Sequence, residues 1–516
     1  MAIYLAMSIL FWAIPFLLPI VSSSIDDYFY MFLTSGAYTG EPTGFTVQMG
    51  YAYSSFIAFL YKTLSQIEWY AYGHYFAMYL AYLSLIGVIF NSSVKSSLKY
   101  LLLLIVVSIQ AYFEIQPHSA NIAVELSFVA SLLLLFKSNY FSAIVAAFFF
   151  FLSNEFKPIA VFIPLVILIP LLLVDLYHSL ERNKLFVRWG ICVLAFAFSA
   201  ITTNMAYSTD KWSQYKKENM VRLYIVDNPE RKMVYKLIQN KNDSTVYELM
   251  ETYRMYDAAL MNINTFQEYV DFLKRHQFYI FIKQIPRYIK AYLKIGGLWF
   301  FAIWVLCLWT LLKSKDKKVI ITFLACTLFF LLENYYMMIQ SRPKERYLLG
   351  MMIPMAAASG ICLYHKVTIK TLVLLKYLGG AIFLTFSTLA VSNAFSNHKI
   401  INEGRELTRV VKESREEKVF LMNGTNRRID FLHASNDYIA SHFLNFGWLM
   451  HCPFDKGGTG LNLIAKGTPI VVLKEDNRLI NLLTSVLRRQ LMYGISPMLI
   501  FESESFKVIR FQSDEL

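Results

Sequence analysis

The sequence predicts a polytopic all-α membrane protein with about eleven transmembrane helices and a small α/β domain at its C-terminal end. Hydrophobic residues make up 56% of the 516 positions and charged residues only 16%, whereas a soluble domain carries roughly 25% charged residues. Several apolar runs reach or pass the ~18 residues needed to cross a bilayer. Basic residues recur in the short connections that alternate along the chain, as the positive-inside rule describes.

The apolar runs define the predicted spans, and polar or basic residues separate one run from the next. The spans are Ile3–Val21, Trp69–Phe90, Leu98–Phe113, Asn121–Phe136, Phe141–Leu152, Pro158–Leu176, Val187–Met205, Ile295–Leu312, Val319–Leu332, Leu348–Tyr364 and Leu372–Val391. Pro158 suits the first turn of the sixth span, where a missing backbone N–H removes no helical hydrogen bond.

The basic residues assign a side to each connection. Those after the second, fourth, sixth, eighth and tenth spans include Lys95, Lys99, Lys137, Arg182, Lys184, Arg188, Lys313, Lys315, Lys317, Lys318, His365, Lys366 and Lys370. These connections all fall on one side, which the positive-inside rule makes cytoplasmic. The sequence therefore predicts a multi-pass protein of the inner or plasma membrane, with a cytoplasmic N-terminus and an extracytoplasmic C-terminal domain.

The long polar connections divide the chain into two predicted domains. Residues 1–392 form the transmembrane domain, and its outer loops are residues 22–68, 114–120, 207–294 and 333–347. Residues 393–516 form the extracytoplasmic α/β domain. Patterns within it predict helices at Arg405–Lys412 and Leu479–Arg489, strands at Lys418–Met422 and Pro469–Leu473, and a hairpin of Met498–Phe501 with Phe506–Phe511.

The net charge of +13 does not indicate a nucleic-acid partner. No basic module with interleaved aromatic residues appears outside the membrane, and lipid phosphates account for the excess of Lys and Arg. The five cysteines give neither a disulfide framework nor a metal-binding spacing.

Two adjacent carboxylates, Asp26 and Asp27, directly follow the first span. One of them can act as a general base, and the other can orient it or hold a divalent cation. The alternative is that one aspartate caps the following helix. The same outer loop then continues into Met49–Leu64, whose Tyr and Phe content is typical of a helix lying in the membrane interface.

The next two outer connections add candidate substrate-binding residues. Glu114 and His118 follow the third span, and His118 is a candidate proton carrier or a solvated residue of the loop. Lys157 follows the fifth span and is a second candidate, although it could instead pair with Glu155.

A third candidate region lies at the outer start of the tenth span. Arg342, Lys344 and Arg346 are three cations within five residues, on the side that the positive-inside rule leaves poor in charge, and Tyr347 follows them. Either lipid headgroups balance these cations or they bind a phosphate, for which the guanidinium fork of Arg is suited.

These features resemble the GT-C superfamily of integral-membrane glycosyltransferases. The resemblance rests on the acidic pair after the first span, the interfacial helix, and Arg346-Tyr347 followed by Pro354 in a late span. Members include protein O-mannosyltransferases and bacterial enzymes that add aminoarabinose to lipid A. The usual acidic pair is often Asp-Glu with basic residues close behind, whereas Tyr28-Phe29-Tyr30 follows here, so Arg342, Lys344 and Arg346 become the candidates for binding the donor phosphate.

The resemblance implies a sugar donor linked to polyprenyl phosphate and a glycan, lipid or protein acceptor of a bacterial cell envelope. An aspartate would deprotonate the acceptor hydroxyl, and the sugar would be transferred with inversion on the extracytoplasmic face. Two alternatives remain, a polymerase or ligase of lipid-linked glycans and a flippase or transporter. Transporters place ionisable residues near the bilayer midplane, whereas the candidate residues here cluster at span ends.

Overall fold

The computed structural model describes residues 2–92, 96–137, 139–178, 182–236, 241–253, 263–340, 344–363, 368–421, 429–436, 438–444, 453, 460–490 and 494–513. Within these ranges, nine helices are long and apolar enough to cross a membrane. Two shorter apolar helices, at Ile3–Leu17 and Tyr140–Phe156, overlap the two remaining predicted spans. The chain is thus a polytopic helical membrane protein, as the apolar runs predict.

Seventeen helices precede the C-terminal sheet in the described part of the chain. They are α1 (Ala2–Leu17), α2 (Ile25–Ser35), α3 (Tyr51–Thr63), α4 (Trp69–Asn91), α5 (Ser96–Ile115), α6 (Ser119–Phe136), α7 (Tyr140–Phe156), α8 (Pro158–His178), α9 (Arg182–Ala206), α10 (Asp210–Asp227), α11 (Lys241–Tyr253), α12 (Ile263–Arg275), α13 (Gln277–Lys294), α14 (Gly297–Ser314), α15 (Lys317–Gln340), α16 (Glu345–Leu363) and α17 (Ile369–Glu413). Helices α1, α4 to α9 and α14 to α17 correspond to the predicted spans.

Helix ends differ from the predicted span ends where proline or polar side chains intervene. Helix α1 ends at Leu17 instead of Val21, because Pro19 disfavours helical backbone in the residue before it. Helix α15 continues to Gln340, so the first half of the predicted loop 333–347 is helical. The loop 207–294 contains α10 to α13, and the first outer loop contains α2 and α3.

The last span runs without a break into the polar region of the chain. Helix α17 covers 45 residues and joins the last apolar run to the predicted helix at Arg405–Lys412. Asn397, buried on this helix, donates to Pro19 O at 3.0 Å and to Ile115 O at 2.8 Å. It therefore ties α17 to the ends of α1 and α5.

The C-terminal region forms the small α/β unit that the sequence predicts. Its strands are β1 (Val419–Leu421), β2 (Phe443–Leu444), β3 (Ile470–Leu473), β4 (Ile495–Glu502) and β5 (Phe506–Ser513), and its helices are α18 (Tyr438–His442), α19 (Gly460–Ala465) and α20 (Asn477–Gln490). The sheet order is β2-β1-β3-β5-β4, with β1 parallel to β2 and β3, and β5 antiparallel to β3 and β4. Pro497 lies in β4, an edge strand, where a missing N–H is tolerated.

Helix α6 lies at the centre of the bundle and sets the position of its neighbours. Small residues allow close approach of helices in a membrane. Ser127 Oγ donates to Val161 O of α8 at 2.6 Å, and Ser153 Oγ of α7 donates to Ala123 O at 2.5 Å. A Cβ at Gly350 of α16 would lie 3.1 Å from the Val124 side chain, so glycine permits α16 to pack here. As a result, the ends of α6, α7, α8 and α16 meet at one end of the bundle.

Candidate active site

Helix α2 carries the acidic pair in its first turn, and its N-cap is neither aspartate. Ser24 is the capping residue, and its hydroxyl accepts from the backbone N–H of Asp26 at 3.2 Å. A serine side chain at this position satisfies an amide that the helix leaves unpaired. Neither aspartate is therefore the capping residue of α2.

Asp27 is fully enclosed and surrounded by hydrogen-bond donors. Its Oδ2 atom accepts from Ser22 Oγ at 3.0 Å and from the Ser119 backbone N–H at 3.4 Å. Its Oδ1 atom accepts from Tyr70 Oη at 3.0 Å, and His74 Nε2 lies 3.8 Å from the same oxygen. The opposite ring nitrogen of His74 donates to Tyr70 O at 2.9 Å, which fixes the orientation of the imidazole.

These donors decide the charge of Asp27. Burial by itself raises the pKa of a carboxyl group. The nearby His118 and His74 imidazoles and the hydrogen bond from Ser22 outweigh burial and hold the pKa of Asp27 below its usual range. Asp27 is therefore a fixed carboxylate. Asp26, one residue earlier, is only partly buried.

His118 joins the acidic pair to the cations. It is the N-cap of α6, and its Nδ1 accepts from the Ala120 N–H at 2.8 Å. Arg346 Nη1 lies 2.5 Å from Nε2 of the same ring. A neutral imidazole offers one acceptor nitrogen, and Ala120 occupies it. The guanidinium therefore faces a poor acceptor, and an anionic oxygen would be a better partner for it.

The pKa of His118 is lowered well below its usual value, first by burial and then by the charge of Arg346. Asp27 opposes this effect, while Lys157 and Lys344 add to it. The imidazole is therefore neutral at physiological pH. Lys157, Lys344 and Arg346 come from two separate parts of the chain, and all three lie close enough to the His118 ring to lower its pKa.

Lys157 is bound by Gln48 and not by Glu155. Its Nζ atom donates to Gln48 Oε1 at 2.7 Å. Burial lowers the pKa of Lys157, and the carboxylates of Asp26, Asp27 and Asp227 partly offset this.

Glu155 has a different, structural partner. Its Oε2 atom accepts from the Tyr53 N–H at 2.7 Å at the start of α3, and Ser199 Oγ donates to Oε1 at 2.5 Å. A Cβ at Gly50, the N-cap of α3, would collide with this carboxylate. Glycine at that position lets a carboxylate from α7 satisfy the end of α3.

The basic residues at the start of α16 divide into three cases. Lys344 Nζ lies 3.2 Å from Asp227 Oδ2 at the end of α10, and both side chains are partly exposed. Arg346 packs with its guanidinium 5.3 Å from the Tyr347 ring centroid, and Tyr347 itself is buried. Arg342 lies outside the described residues.

We call Lys157, Lys344 and Arg346 the cationic face. The carboxyl oxygens of Glu114 make no hydrogen bond to it. Glu114 is fully buried in the last turn of α5, and its backbone carbonyl accepts from Tyr75 Oη at 2.6 Å. Among the candidate residues that it describes, the structure brings together Asp26, Asp27, His118, Lys157, Lys344 and Arg346. Tyr347 lies beside them.

Three residues that surround Asp27 are not part of the motifs seen in the sequence, namely Ser22, Tyr70 and His74. Tyr70 and His74 are four residues apart and so lie on one face of α4. His74 lies near the start of an otherwise apolar span. It could have indicated the site, because ionisable residues within spans are usually functional. In the described residues, no three His, Cys, Asp or Glu side chains are arranged to hold a metal ion.

The fold and these contacts define a class: a polytopic helical membrane protein with a polar, charged site at one end of its bundle. No family model and no curated protein sequence matches the chain. Among solved structures, it is similar to the crystal structure of ArnT from Cupriavidus metallidurans bound to undecaprenyl phosphate. That similarity has a TM-score of 0.46 at 9% sequence identity and covers 98% of this chain and 97% of that chain.

Proposed function

We propose that this protein is a membrane glycosyltransferase that moves a sugar from a polyprenyl-phosphate donor to an acceptor hydroxyl. One observation carries the proposal: an acidic pair and three cations from distant parts of the sequence lie around one buried imidazole. A carboxylate can take a proton from a hydroxyl, and cations can stabilise a departing phosphate. This reaction needs both kinds of group close to each other.

Asp26 is the proposed general base. Asp27 already accepts from three donors and is fully buried, so a substrate hydroxyl would have to displace one of them. Asp26 is partly exposed, and its charge acts on Lys157. In this arrangement Asp27 anchors Ser22, Tyr70 and the start of α6, and Asp26 meets the acceptor.

The proposed reaction is a single displacement. The acceptor oxygen attacks the anomeric carbon while Asp26 takes its proton, and the bond from that carbon to the phosphate oxygen breaks. Lys157, Lys344 and Arg346 then neutralise the negative charge that develops on polyprenyl phosphate. Because the nucleophile approaches opposite to the leaving group, the configuration at the anomeric carbon is inverted.

The extracytoplasmic face is the proposed side of transfer. Asp27, His118, Lys157, Asp227 and Arg346 follow the first, third, fifth, seventh and ninth predicted spans, respectively, and all act on one site. The intervening connections are short and basic, and short basic connections mark the cytoplasm. A glycan, lipid or protein of the cell envelope is therefore the proposed acceptor, and the C-terminal domain lies on the same side.

The test uses the full chain reconstituted in liposomes with a radiolabelled polyprenyl-phosphate sugar and a mixture of envelope lipids and glycans. We expect label to move to an acceptor with wild-type protein and not with Asp26→Asn. Asp210→Asn is the matched control, because Asp210 lies in the first turn of α10 but is exposed.

Two results would contradict the proposal. Transfer only from a lipid pyrophosphate oligosaccharide would indicate a polymerase or ligase. Movement of the intact labelled lipid across the bilayer, with no transfer to any acceptor, would indicate a flippase.

A further inference from the structure

A short segment of the C-terminal domain contacts side chains that surround Asp27. We call residues 429–436 the docking segment. Its backbone is tied to the membrane part at two points: Phe431 N–H donates to Ile20 O at 3.0 Å, and Tyr28 Oη donates to Ile429 O at 2.7 Å. These bonds join positions about 400 residues apart in sequence.

Phe431 packs against two of the side chains that surround Asp27. Its side chain is fully buried. The ring centroid of Phe431 lies 6.1 Å from that of Tyr70 and 6.0 Å from that of His74, edge-on in both cases. Edge-to-face contacts of this kind stabilise a particular ring orientation. Phe431 thus packs against both α4 side chains that face the Asp27 carboxylate.

The docking segment also reaches the third partner of Asp27. Tyr28 Oη accepts from the Ser22 N–H at 3.2 Å while it donates to Ile429 O. The hydroxyl of the same Ser22 donates to Asp27 Oδ2. Tyr70 and His74 therefore contact the docking segment directly, and Ser22 is joined to it through Tyr28.

We propose that the docking segment is part of the active site and that Phe431 is a positioning residue, which holds Tyr70 and His74 against Asp27. The placement of these side chains is independent of the reaction, whereas its effect on turnover rests on the proposed function. The C-terminal domain would then set the geometry of the acidic pair instead of serving only as a soluble appendage.

The Tyr70 hydroxyl shows why such packing is required. It lies 3.0 Å from Asp27 Oδ1 and 3.3 Å from Met49 Sδ. If the Phe431 ring is removed, the space it leaves allows the Tyr70 ring to turn away from the carboxylate. Asp27 then loses a donor, and α2, which also carries Asp26, loses one of its fixed contacts.

A second contact anchors the other end of the docking segment. Ser435 N–H donates to Glu68 Oε2 at 2.9 Å, and the Ser435 hydroxyl donates to the same oxygen. Tyr61 Oη donates to Glu68 Oε1. Glu68 is buried directly before α4, so this anchor fixes the docking segment to the same helix that presents Tyr70 and His74.

The experiment compares Phe431→Ala with Phe511→Ala in the full chain in nanodiscs. Both phenylalanines are fully buried in the C-terminal region, but Phe511 lies in β5 and packs in the core of the sheet. Amide hydrogen exchange is measured for residues 20–32 and 69–76, together with donor KM and turnover. Phe431→Leu, which retains most of the apolar volume, tests for partial recovery.

We expect Phe431→Ala to speed exchange at both segments and to lower turnover about 10- to 100-fold, the size of effect that a small misplacement of a catalytic group produces. Donor KM should change little, because the cations lie on other elements. Phe511→Ala should leave exchange at both segments unchanged.

Unchanged exchange in Phe431→Ala, or equal changes in both alanine variants, would overturn the proposal. If Phe431→Ala does not fold, Tyr28→Phe replaces it, because this variant keeps the ring but breaks the link between Ser22 and Ile429. Unchanged exchange at residues 20–32 in Tyr28→Phe would then overturn the proposal. The exchange result decides the positioning role even if no sugar transfer is found, so failure of the proposed function is distinguishable from failure of this inference.

Discussion

The Asp27 pocket and the cationic face differ in how completely their charges are satisfied. Asp27 is fully buried, and three donors occupy its oxygens. The cations are partly exposed, and their partners are easily exchanged: an amide for Lys157, a partly exposed aspartate for Lys344 and a neutral imidazole for Arg346. One side of the site is therefore preset by the fold, while the other is ready to bind an anion.

The cations, and not Asp27, are therefore expected to move during a reaction. A preset carboxylate needs no reorganisation, which is the arrangement that makes electrostatic catalysis effective. A phosphate is a stronger acceptor than an amide or an imidazole. It would draw Lys157 and Arg346 away from their present partners, whereas Asp27 would keep its own.

The largest predicted effect comes from the acidic pair. We expect Asp26→Asn to lower turnover about 100- to 10,000-fold, the range typical of a lost general base, with unchanged thermal stability. Asp27→Asn should lower both turnover and thermal stability, because an amide nitrogen would face donors from Tyr70 or Ser22. Turnover assays and thermal unfolding on the two variants separate the roles, and equal stability losses in both would remove the distinction between base and anchor.

The next effect concerns donor binding. If Arg346 binds the phosphate, Arg346→Ala should cost about 1.5–3 kcal/mol, the worth of a charge-assisted hydrogen bond, or roughly a ten- to hundredfold loss in donor use. Arg346→Lys should recover only part of this loss, because an ammonium cannot form the two-pronged contact. Donor-concentration curves for the three proteins measure it.

The control for Arg346 is Arg287→Ala. Arg287 is exposed and pairs at 2.7 Å with Glu230, which is buried, and neither residue acts on the acidic pair. If lipid headgroups are the real partners of Arg346, the curves of the wild type, Arg346→Lys and Arg346→Ala should superimpose. That outcome would also remove the cationic face from the active site.

The anchor of the docking segment predicts a pH dependence. Burial raises the pKa of Glu68 from 4.5 to about 7, although hydrogen bonds from Ser435 lower it. Between these two values the folded protein holds a proton that the unfolded chain has released. Stability therefore falls as pH rises from about 4.5 to 7 and changes no further above pH 7 through this group.

Glu68→Gln removes this titration while it keeps the shape of the side chain. We expect the variant to be more stable than wild type at pH 8, by roughly 1–3 °C in Tm for a chain of this size, and equally stable near pH 4.5. Thermal unfolding across this range measures the difference. A difference that is constant with pH would show that Glu68 does not control the pH dependence.

Much of this architecture was predictable, because it depends on local patterns. The apolar runs predicted the helices of the membrane part, and short runs rich in β-branched and apolar residues predicted β3 and the β4–β5 hairpin. Strand β2 has two residues, too few for alternation to be recognised. The continuity of α17 was missed because the sequence changes from apolar to polar near Asn393, although a helix need not end where such a change occurs.

The site was predictable only in part. The acidic pair and the basic cluster stand out locally, because two carboxylates are adjacent and three cations lie within five residues on the predicted outer side. The contacts of Phe431 and Ser435 with α4 do not stand out, since they join residues more than 350 positions apart. No pattern within a window of sequence contains such a contact.

The smallest predicted effect tests whether Lys344 must leave its ion pair with Asp227 before it can bind a phosphate. Asp227 pairs with Lys344 at 3.2 Å, and both side chains are partly exposed. Such a pair is worth only about 0.2–1 kcal/mol. If the lysine must leave Asp227 to bind phosphate, Asp227→Asn should lower donor KM by roughly two- to fivefold, with turnover unchanged. The matched control is Glu230→Gln, which breaks the pairs with Lys283 and Arg287 outside the site. A higher donor KM in Asp227→Asn would mean instead that the aspartate positions Lys344 for the phosphate, and the cationic face would then be preset as Asp27 is.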